Sequence, residues 1–206
     1  MMLRLFLFSF LLVLTSQVSA QLSSHKWYPA QVQLRDNTVL EGELKYSMDV
    51  DAIQLQIGDR LETYTANQVI SFTIQTDNGK RKSRRQVFTR SFYSLPYTNA
   101  QGYQRNLFFE VLVGGKATLL ARWYMQSVNY PDDVINSGPA LELQYQMYLG
   151  SLDGTITELT GKQRDVLQEL KSHKKQLKGY IYAENLNVRR LDDMSRLFTY
   201  YNSLGE

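Results

Sequence analysis

Apolar and polar residues alternate along most of the chain between residues 30 and 158. Apolar side chains recur at every second position in short runs, and turn residues separate the runs, as in β-strands that bury one face. The pattern predicts antiparallel hairpins formed by residues 32–34 with 39–46, 53–57 with 61–64, 69–74 with 87–93, 107–113 with 117–125, and 141–149 with a short strand around Ile156.

Residues 30–75, which contain the first two hairpins and the strand at 69–74, resemble the small twisted barrels of the Sm-like and SH3-like type. The resemblance rests on a turn at 35–38, on Gly42 in the second strand and on a turn at Gly58 and Asp59. It implies a small barrel-like unit. The asparagine and the closing Arg-Gly pair that bind RNA in Sm-like proteins are missing, so the resemblance implies the shape and no RNA binding.

The period of the apolar positions changes after Gly161. Apolar residues then recur at helical spacing at Val166, Leu167, Leu170 and Leu177, and again at Met194, Leu197, Phe198 and Tyr201. Gly179 suits the end of the first helix, and Asp192 or Asp193 suits the N-cap of the last one. The predicted fold class is α+β, with predominantly antiparallel β structure, in small barrel-like or meander sheets, followed by a C-terminal helical pair.

The first twenty residues have the features of a secretory signal peptide. Arg4 precedes an apolar run of about ten residues, which is too short to span a membrane. Small residues then lead to a cleavage position after Ala20. We therefore expect a protein exported to the periplasm or the cell surface. Its segments would be a signal peptide at 1–20, a β-rich body at 21–160 and a helical segment at 161–206 packed on the body.

The amino-acid composition bears on disulfide bonds, partners and membrane spans. The chain contains no cysteine, so disulfide bonds cannot stabilise it in an oxidising compartment. Its net charge is +3, which is nearly balanced and implies no particular partner. An exported protein also rarely meets nucleic acid. After the leader, no apolar run reaches the length of a transmembrane helix. We expect neither a nucleic-acid partner nor a membrane span in the mature chain.

Two further segments carry a resemblance that covers most of the chain. Residues 108–116 read Phe-Phe-Glu-Val-Leu-Val-Gly-Gly-Lys, and residues 200–202 read Tyr-Tyr-Asn. With the leader and the opening hairpin, they resemble a broad family of exported, uncharacterised Gram-negative bacterial proteins. Members typically carry F-x-x-V-L-x-x-G-K at mid-chain and a closing helix with Tyr-Asn. A cysteine that is often present near the end is absent here. The resemblance implies a fold and a compartment, and no activity.

Known catalytic, metal and nucleotide motifs are missing. Gly114-Gly115-Lys116 lacks the upstream glycine and the following Ser or Thr of a phosphate-binding loop, and it predicts a tight hairpin turn. The two histidines, His25 and His173, are far apart, and His173 lies among lysines. The sequence therefore predicts no catalytic residue, no metal site and no cofactor.

Three acid pairs are the candidates for hydrolytic chemistry, namely Asp49 with Asp51, Asp132 with Asp133, and Asp192 with Asp193. Each pair also suits a turn or the start of a helix. High tyrosine content offers sugar-stacking or interface residues, and those nearest to predicted loops or strand ends are Tyr97, Tyr103, Tyr124 and Tyr130.

The densest positive charge belongs to Lys80, Arg81, Lys82, Arg84 and Arg85. This basic segment either binds an anionic envelope component or another envelope protein, or it is a solvated hairpin tip that blocks edge-to-edge association of sheets. The sequence as a whole predicts a non-enzymatic binding or assembly protein of the cell envelope. The alternative is a hydrolase that acts on envelope polymers through a carboxylate pair.

Overall fold

The computed structural model describes residues 22, 25–77, 86–128 and 140–205. Within these residues, ten strands come first: β1 Tyr28–Leu34, β2 Val39–Ser47, β3 Ala52–Ile57, β4 Arg60–Thr65, β5 Val69–Asp77, β6 Val87–Thr98, β7 Gln104–Val113, β8 Ala117–Val128, β9 Ala140–Ser151 and β10 Ile156–Glu158. Three helices follow: α1 Gln163–Glu169, α2 Lys174–Ala183 and α3 Leu191–Ser203. This confirms the broad α+β class with helices near the C-terminus.

The ten strands form one antiparallel sheet in the order β10-β9-β8-β7-β6-β5-β1-β2-β3-β4. The hairpins expected from the alternation are all present, for example β5 with β6 and β7 with β8. The sequence pattern did not specify the pairings of β1 with β5, β2 with β3, β6 with β7 or β8 with β9. These pairings join the hairpins into a single sheet.

The barrel-like unit expected over residues 30–75 is not closed. β5 pairs with β1 on one edge and with β6 on the other, so it has no edge left for β4. β4 instead ends the sheet, with exposed residues at every second position. The expectation was wrong because alternation identifies strands, whereas closure depends on which strand occupies the second edge of β5.

The open sheet is strongly curved. Tyr46 in β2 and Phe108 in β7 are four strands apart in the sheet, which would separate them by roughly 19 Å if the sheet were flat. Their ring centroids are only 5.8 Å apart. Gly42 permits a close approach of β2 and β3, because a Cβ there would lie 2.2 Å from the carbonyl oxygen of Gln56. The N-terminal strands therefore fold back over β6 and β7 around a shared aromatic core.

The helices cover another part of the same inner face. On β8, Trp123 contacts the aromatic core, while Leu119, four residues earlier, packs with the helices. Their core is formed by the fully buried residues Val166, Leu177, Met194, Leu197 and Phe198 together with Leu119 and Leu149 of the sheet. None of the described helices is long and apolar enough to cross a membrane.

The expected helical pair is instead a set of three helices. The predicted first helix breaks at Leu170, whose backbone is not helical (φ −91°, ψ 52°), and a 3-10 turn over Lys171–His173 follows. Gly179 does not end a helix but lies inside α2. The break turns the chain so that Leu167 before it and Leu177 after it both reach the core.

Neither Asp192 nor Asp193 is the N-cap of α3. The cap is Arg190, and both aspartates lie in the first helical turn, where their charge favours the helix. The carboxylate of Asp193 accepts the backbone N–H of Asn187 at 3.0 Å. It therefore stabilises the chain that enters the helix.

Candidate functional site

The basic segment predicted to bind an anion, Lys80, Arg81, Lys82, Arg84 and Arg85, lies outside the described residues. Asp132, Asp133 and Tyr130 also lie outside the described residues. The interpretation of all these residues stays a prediction.

Asp49 and Asp51 do not form a site together. Asp49 is exposed, whereas Asp51 is only 6% exposed. The carboxylate of Asp51 accepts a hydrogen bond from Nη2 of Arg122 at 3.0 Å and another from the backbone N–H of Phe108 at 3.3 Å. Burial raises the pKa of Asp51, and the neighbouring Arg122 opposes that rise. These contacts give Asp51 a structural role.

Asp51 fills a gap between two neighbouring strands. β7 and β8 pair only over Glu110–Val113 of β7, and they have no paired residues before Glu110. The chain around Asp51, which adopts a left-handed conformation (φ 47°), enters this gap. The carboxylate thus satisfies a buried amide of β7 that has no partner in β8.

A second buried carboxylate, Glu110, lies within the apolar run of β7 and is 5% exposed. It accepts hydrogen bonds from Nε and Nη2 of Arg90 at 2.7 and 2.6 Å, and from the indole N–H of Trp123 at 2.6 Å. The guanidinium carbon of Arg90 also lies 4.7 Å from the centroid of the Trp123 ring. Because two different contacts hold the indole, its orientation is set before any ligand binds.

Trp123 lines a cleft of about 540 Å³ between the sheet and the start of α3. We call it the aromatic cleft; its lining includes Trp123, Glu142, Leu143, Tyr145, Arg190 and Asp192. The rings of Trp123 and Tyr145 lie 5.5 Å apart with an interplanar angle of 59°. The hydroxyl of Tyr145 donates a hydrogen bond to the carbonyl of Arg189 at 3.0 Å, which ties β9 to the chain before α3.

The aromatic cleft combines two kinds of recognition group. Trp123 and Tyr145 offer flat apolar surfaces, while Glu142, Asp192 and Arg190 supply charged hydrogen-bonding groups. Of the predicted pair of Asp192 and Asp193, only Asp192 lines this cleft. The arrangement suits a ligand that has both apolar faces and hydroxyl or other polar groups.

The described tyrosines that the sequence indicated as surface residues, Tyr97, Tyr103 and Tyr124, do not form a common site. Tyr103 is 77% exposed and Tyr124 is 39% exposed, while Tyr97 packs against Phe109 and Tyr148 on the outer face of the sheet. None of these tyrosines lines the aromatic cleft.

The histidines occupy unrelated positions. His25 is exposed, and Nδ1 of His173 is hydrogen-bonded to the side chain of Gln176 at 2.8 Å. Among the described residues, no group of three or more acids and histidines is arranged to hold a metal ion. Gly114-Gly115-Lys116 forms the turn between β7 and β8, as the sequence predicted.

Sequence reasoning missed the residues that build the aromatic cleft and its support, Arg90, Glu110, Trp123, Glu142 and Tyr145. One local signal was available. Glu110 is the only charged residue in the apolar run 107–113, and an acid buried in a strand requires a partner. The identity of that partner was not visible, because Arg90 and Trp123 lie on the two neighbouring strands in the sheet.

Comparisons of the chain with protein-family models, with curated proteins and with solved structures find no match.

Proposed function

We propose that this protein is a non-enzymatic binding protein of the bacterial cell envelope, and that its aromatic cleft holds a saccharide portion of an envelope polymer. The observation that carries the proposal is the fixed indole of Trp123 beside Tyr145. Export to the envelope is supported by the leader-like residues 1–20.

The buried pair of Arg90 and Glu110, which contacts Trp123, favours a ligand-binding role for this tryptophan over a role in core packing alone. Burying an arginine and a glutamate costs desolvation energy, and apolar side chains of similar volume often stabilise a core equally well or better. Arg90 and Glu110 are nevertheless buried, with side chains 10% and 6% exposed. Their contacts with Trp123 fix a ring that faces the cleft, and such preorganisation lowers the entropy cost of holding a ligand.

The mixture of groups favours a saccharide. Sugar rings have C–H faces that stack on aromatic side chains, and hydroxyl groups that pair with carboxylates and guanidinium groups. The aromatic cleft provides both, with two aromatic rings next to Glu142, Asp192 and Arg190. A purely apolar ligand would make no use of these charged groups.

A hydrolase remains the second candidate, because two carboxylates, Glu142 and Asp192, line the same cleft. Glycoside cleavage needs two such groups on either side of the scissile bond. A binding protein would release the saccharide unchanged, whereas a hydrolase would shorten it. The Glu142→Gln variant separates the two functions, since cleavage would stop while stacking on the aromatic rings would persist.

The test uses the protein's own fluorescence. The chain has two tryptophans, so the Trp27→Phe variant retains Trp123 as the only indole. Titration of this variant with soluble peptidoglycan fragments and with lipopolysaccharide core oligosaccharides should change its emission in a saturable way for one of them. Chromatography of the recovered saccharide then shows whether it was cleaved.

The matched controls are two tyrosine substitutions in the Trp27→Phe background. Tyr145→Ala should remove the saturable change, because it removes one wall of the cleft. Tyr103→Ala removes an exposed tyrosine that does not line the cleft and should leave the titration unchanged. Equal binding by Tyr145→Ala, or no response to any envelope saccharide, would overturn the proposal.

A further inference from the structure

A row of lysines on α2 faces solvent. Lys174, Lys175 and Lys178 belong to the helix, Lys171 belongs to the 3-10 turn before it, and all four are exposed. Their spacing of three or four residues places them along one side of the helix. Tyr182, four residues after Lys178, is 89% exposed. We call these five residues the basic face.

No acidic residue offsets the basic face along its own segment. Residues 170–183 contain neither Asp nor Glu. The ion pairs found among the described residues all use arginine as the cation, and none includes one of these four lysines. By contrast, Arg196 of α3 pairs with both Glu184 and Asp193.

These lysine positions are unfavourable for α2 itself. Lys174 and Lys175 open the helix, where the positive end of the helix dipole disfavours cations. Lys174 and Lys178 are four residues apart, a spacing at which like charges repel. An anionic surface in contact with the basic face would relieve both effects.

Packing determines the direction in which the basic face points. Leu177 and Ile181 of α2 are buried in the helical core, whereas Lys174, Lys175 and Lys178 are exposed. The ring of Tyr180 stacks on that of Tyr200 in α3, with centroids 4.1 Å apart and planes at 20°. These contacts prevent α2 from rotating, so the lysines stay on the outer surface.

We propose that the basic face docks the protein on an anionic lipid surface. The lysine ammonium groups contact headgroup phosphates, and Tyr182 enters the interface between headgroups and acyl chains, where tyrosine is favoured. The protruding tyrosine favours a membrane over a dissolved polyanion, because only a membrane has an apolar layer beneath its charges. The basic face shares no residue with the aromatic cleft, so docking does not depend on saccharide binding.

The experiment measures co-sedimentation of the full chain with vesicles made of equal parts phosphatidylglycerol and phosphatidylcholine. The wild-type protein should sediment with these vesicles at low salt, should be released by high salt, and should not bind vesicles of phosphatidylcholine alone. The triple variant Lys174→Gln, Lys175→Gln, Lys178→Gln should bind on the order of 100-fold more weakly, since each lysine near an anionic surface contributes roughly a fivefold factor. Tyr182→Ser should weaken binding without a change in charge.

A second triple variant, Lys26→Gln, Arg60→Gln, Arg105→Gln, removes the same number of exposed charges elsewhere. It should bind nearly as well as the wild type. Equal losses of vesicle binding in the two triple variants would show that only net charge matters. Wild-type binding by the variant of Lys174, Lys175 and Lys178 would assign docking to another segment, such as Lys80 to Arg85. Binding to a soluble acidic polysaccharide but not to the vesicles would also overturn the proposal.

Discussion

The side-chain amide of Asn202 pairs with the backbone of Ala117. Oδ1 of Asn202 accepts the N–H of Ala117 at 3.0 Å, and Nδ2 donates to the carbonyl of Ala117 at 2.8 Å and to that of Gly114 at 3.2 Å. Next to this contact, Nζ of Lys116 donates to the carbonyl of Leu204 at 2.6 Å. The end of α3 thus docks on the β7–β8 turn through side-chain and backbone hydrogen bonds.

The contact between Asn202 and Ala117 should contribute to the stability of the fold. Asn202→Asp replaces a donor with an acceptor that faces two carbonyl oxygens, so we expect the free energy of unfolding to fall by about 1–3 kcal/mol. Chemical denaturation measures the change. Thr199→Ala, an exposed substitution on the same helix, is the control and should have little effect. Equal stability of Asn202→Asp and the wild type would show that α3 docks through its apolar face alone.

The two neighbouring glycines of the β7–β8 turn should differ in their tolerance of alanine. A Cβ at Gly115 would lie 2.4 Å from Nδ2 of Asn202, and its φ of 151° is one that L-residues rarely adopt. A Cβ at Gly114 would meet no atom within 4 Å. We expect Gly115→Ala to lose more than about 1 kcal/mol and Gly114→Ala to lose little. The same thermal shift in both variants would contradict the role of Gly115.

Asp51→Ala should destabilise the protein by about 3–5 kcal/mol, because it leaves the partly buried Arg122 and the amide of Phe108 without their acceptor. Asp49→Ala, two residues earlier and exposed, is the matched control and should be nearly neutral. Denaturant titration measures both. A small loss for Asp51→Ala would mean that water replaces the carboxylate between β7 and β8.

Glu110→Gln should release the indole of Trp123. The amide cannot neutralise the charge of Arg90, so we expect a loss of about 3 kcal/mol in stability together with a weaker near-ultraviolet circular dichroism signal from tryptophan. Glu169→Gln, at an exposed position of α1, should change neither quantity. An unchanged tryptophan signal would show that packing alone orients the ring, and would weaken the argument for a preformed cleft.

The folded protein should lose stability at alkaline pH because Tyr148 is buried. Burial, with further contributions from Glu158 and Tyr97, raises the pKa of Tyr148 from 10.0 to about 12. A raised pKa in the folded state means that the stabilisation is complete below pH 10 and is lost as the pH rises to about 12. The expected loss is about 2–3 kcal/mol over this window.

Tyr148→Phe should therefore reduce the alkaline loss of stability, measured as the difference from the wild type at each pH. Tyr182→Phe alters a tyrosine that is 89% exposed and should follow the wild type throughout. Lysine titration over the same range affects all three proteins equally, so it cancels in the difference. Parallel curves for the wild type and Tyr148→Phe would contradict a raised pKa.

The sequence by itself determined the strands, the hairpins and the broad α+β class. Alternation, turn glycines and the change of period after Gly161 are local signals, because each reports the conformation of a few adjacent residues. The same local character explains the errors. The break at Leu170 and the helical position of Gly179 depend on which side chains the helical core has room to bury, and that room is created by β8 and β9.

Tertiary structure decided everything that joins distant segments. It placed β1 against β5, whose other edge pairs with β6, and so left the sheet open; it also brought Glu110 to Trp123, and Asn202 to Ala117 across 85 residues. Such contacts depend on the curvature of the whole sheet and on the competition of several strands for one edge. No short window of sequence contains either, so the candidate site became visible only when the strands were assembled.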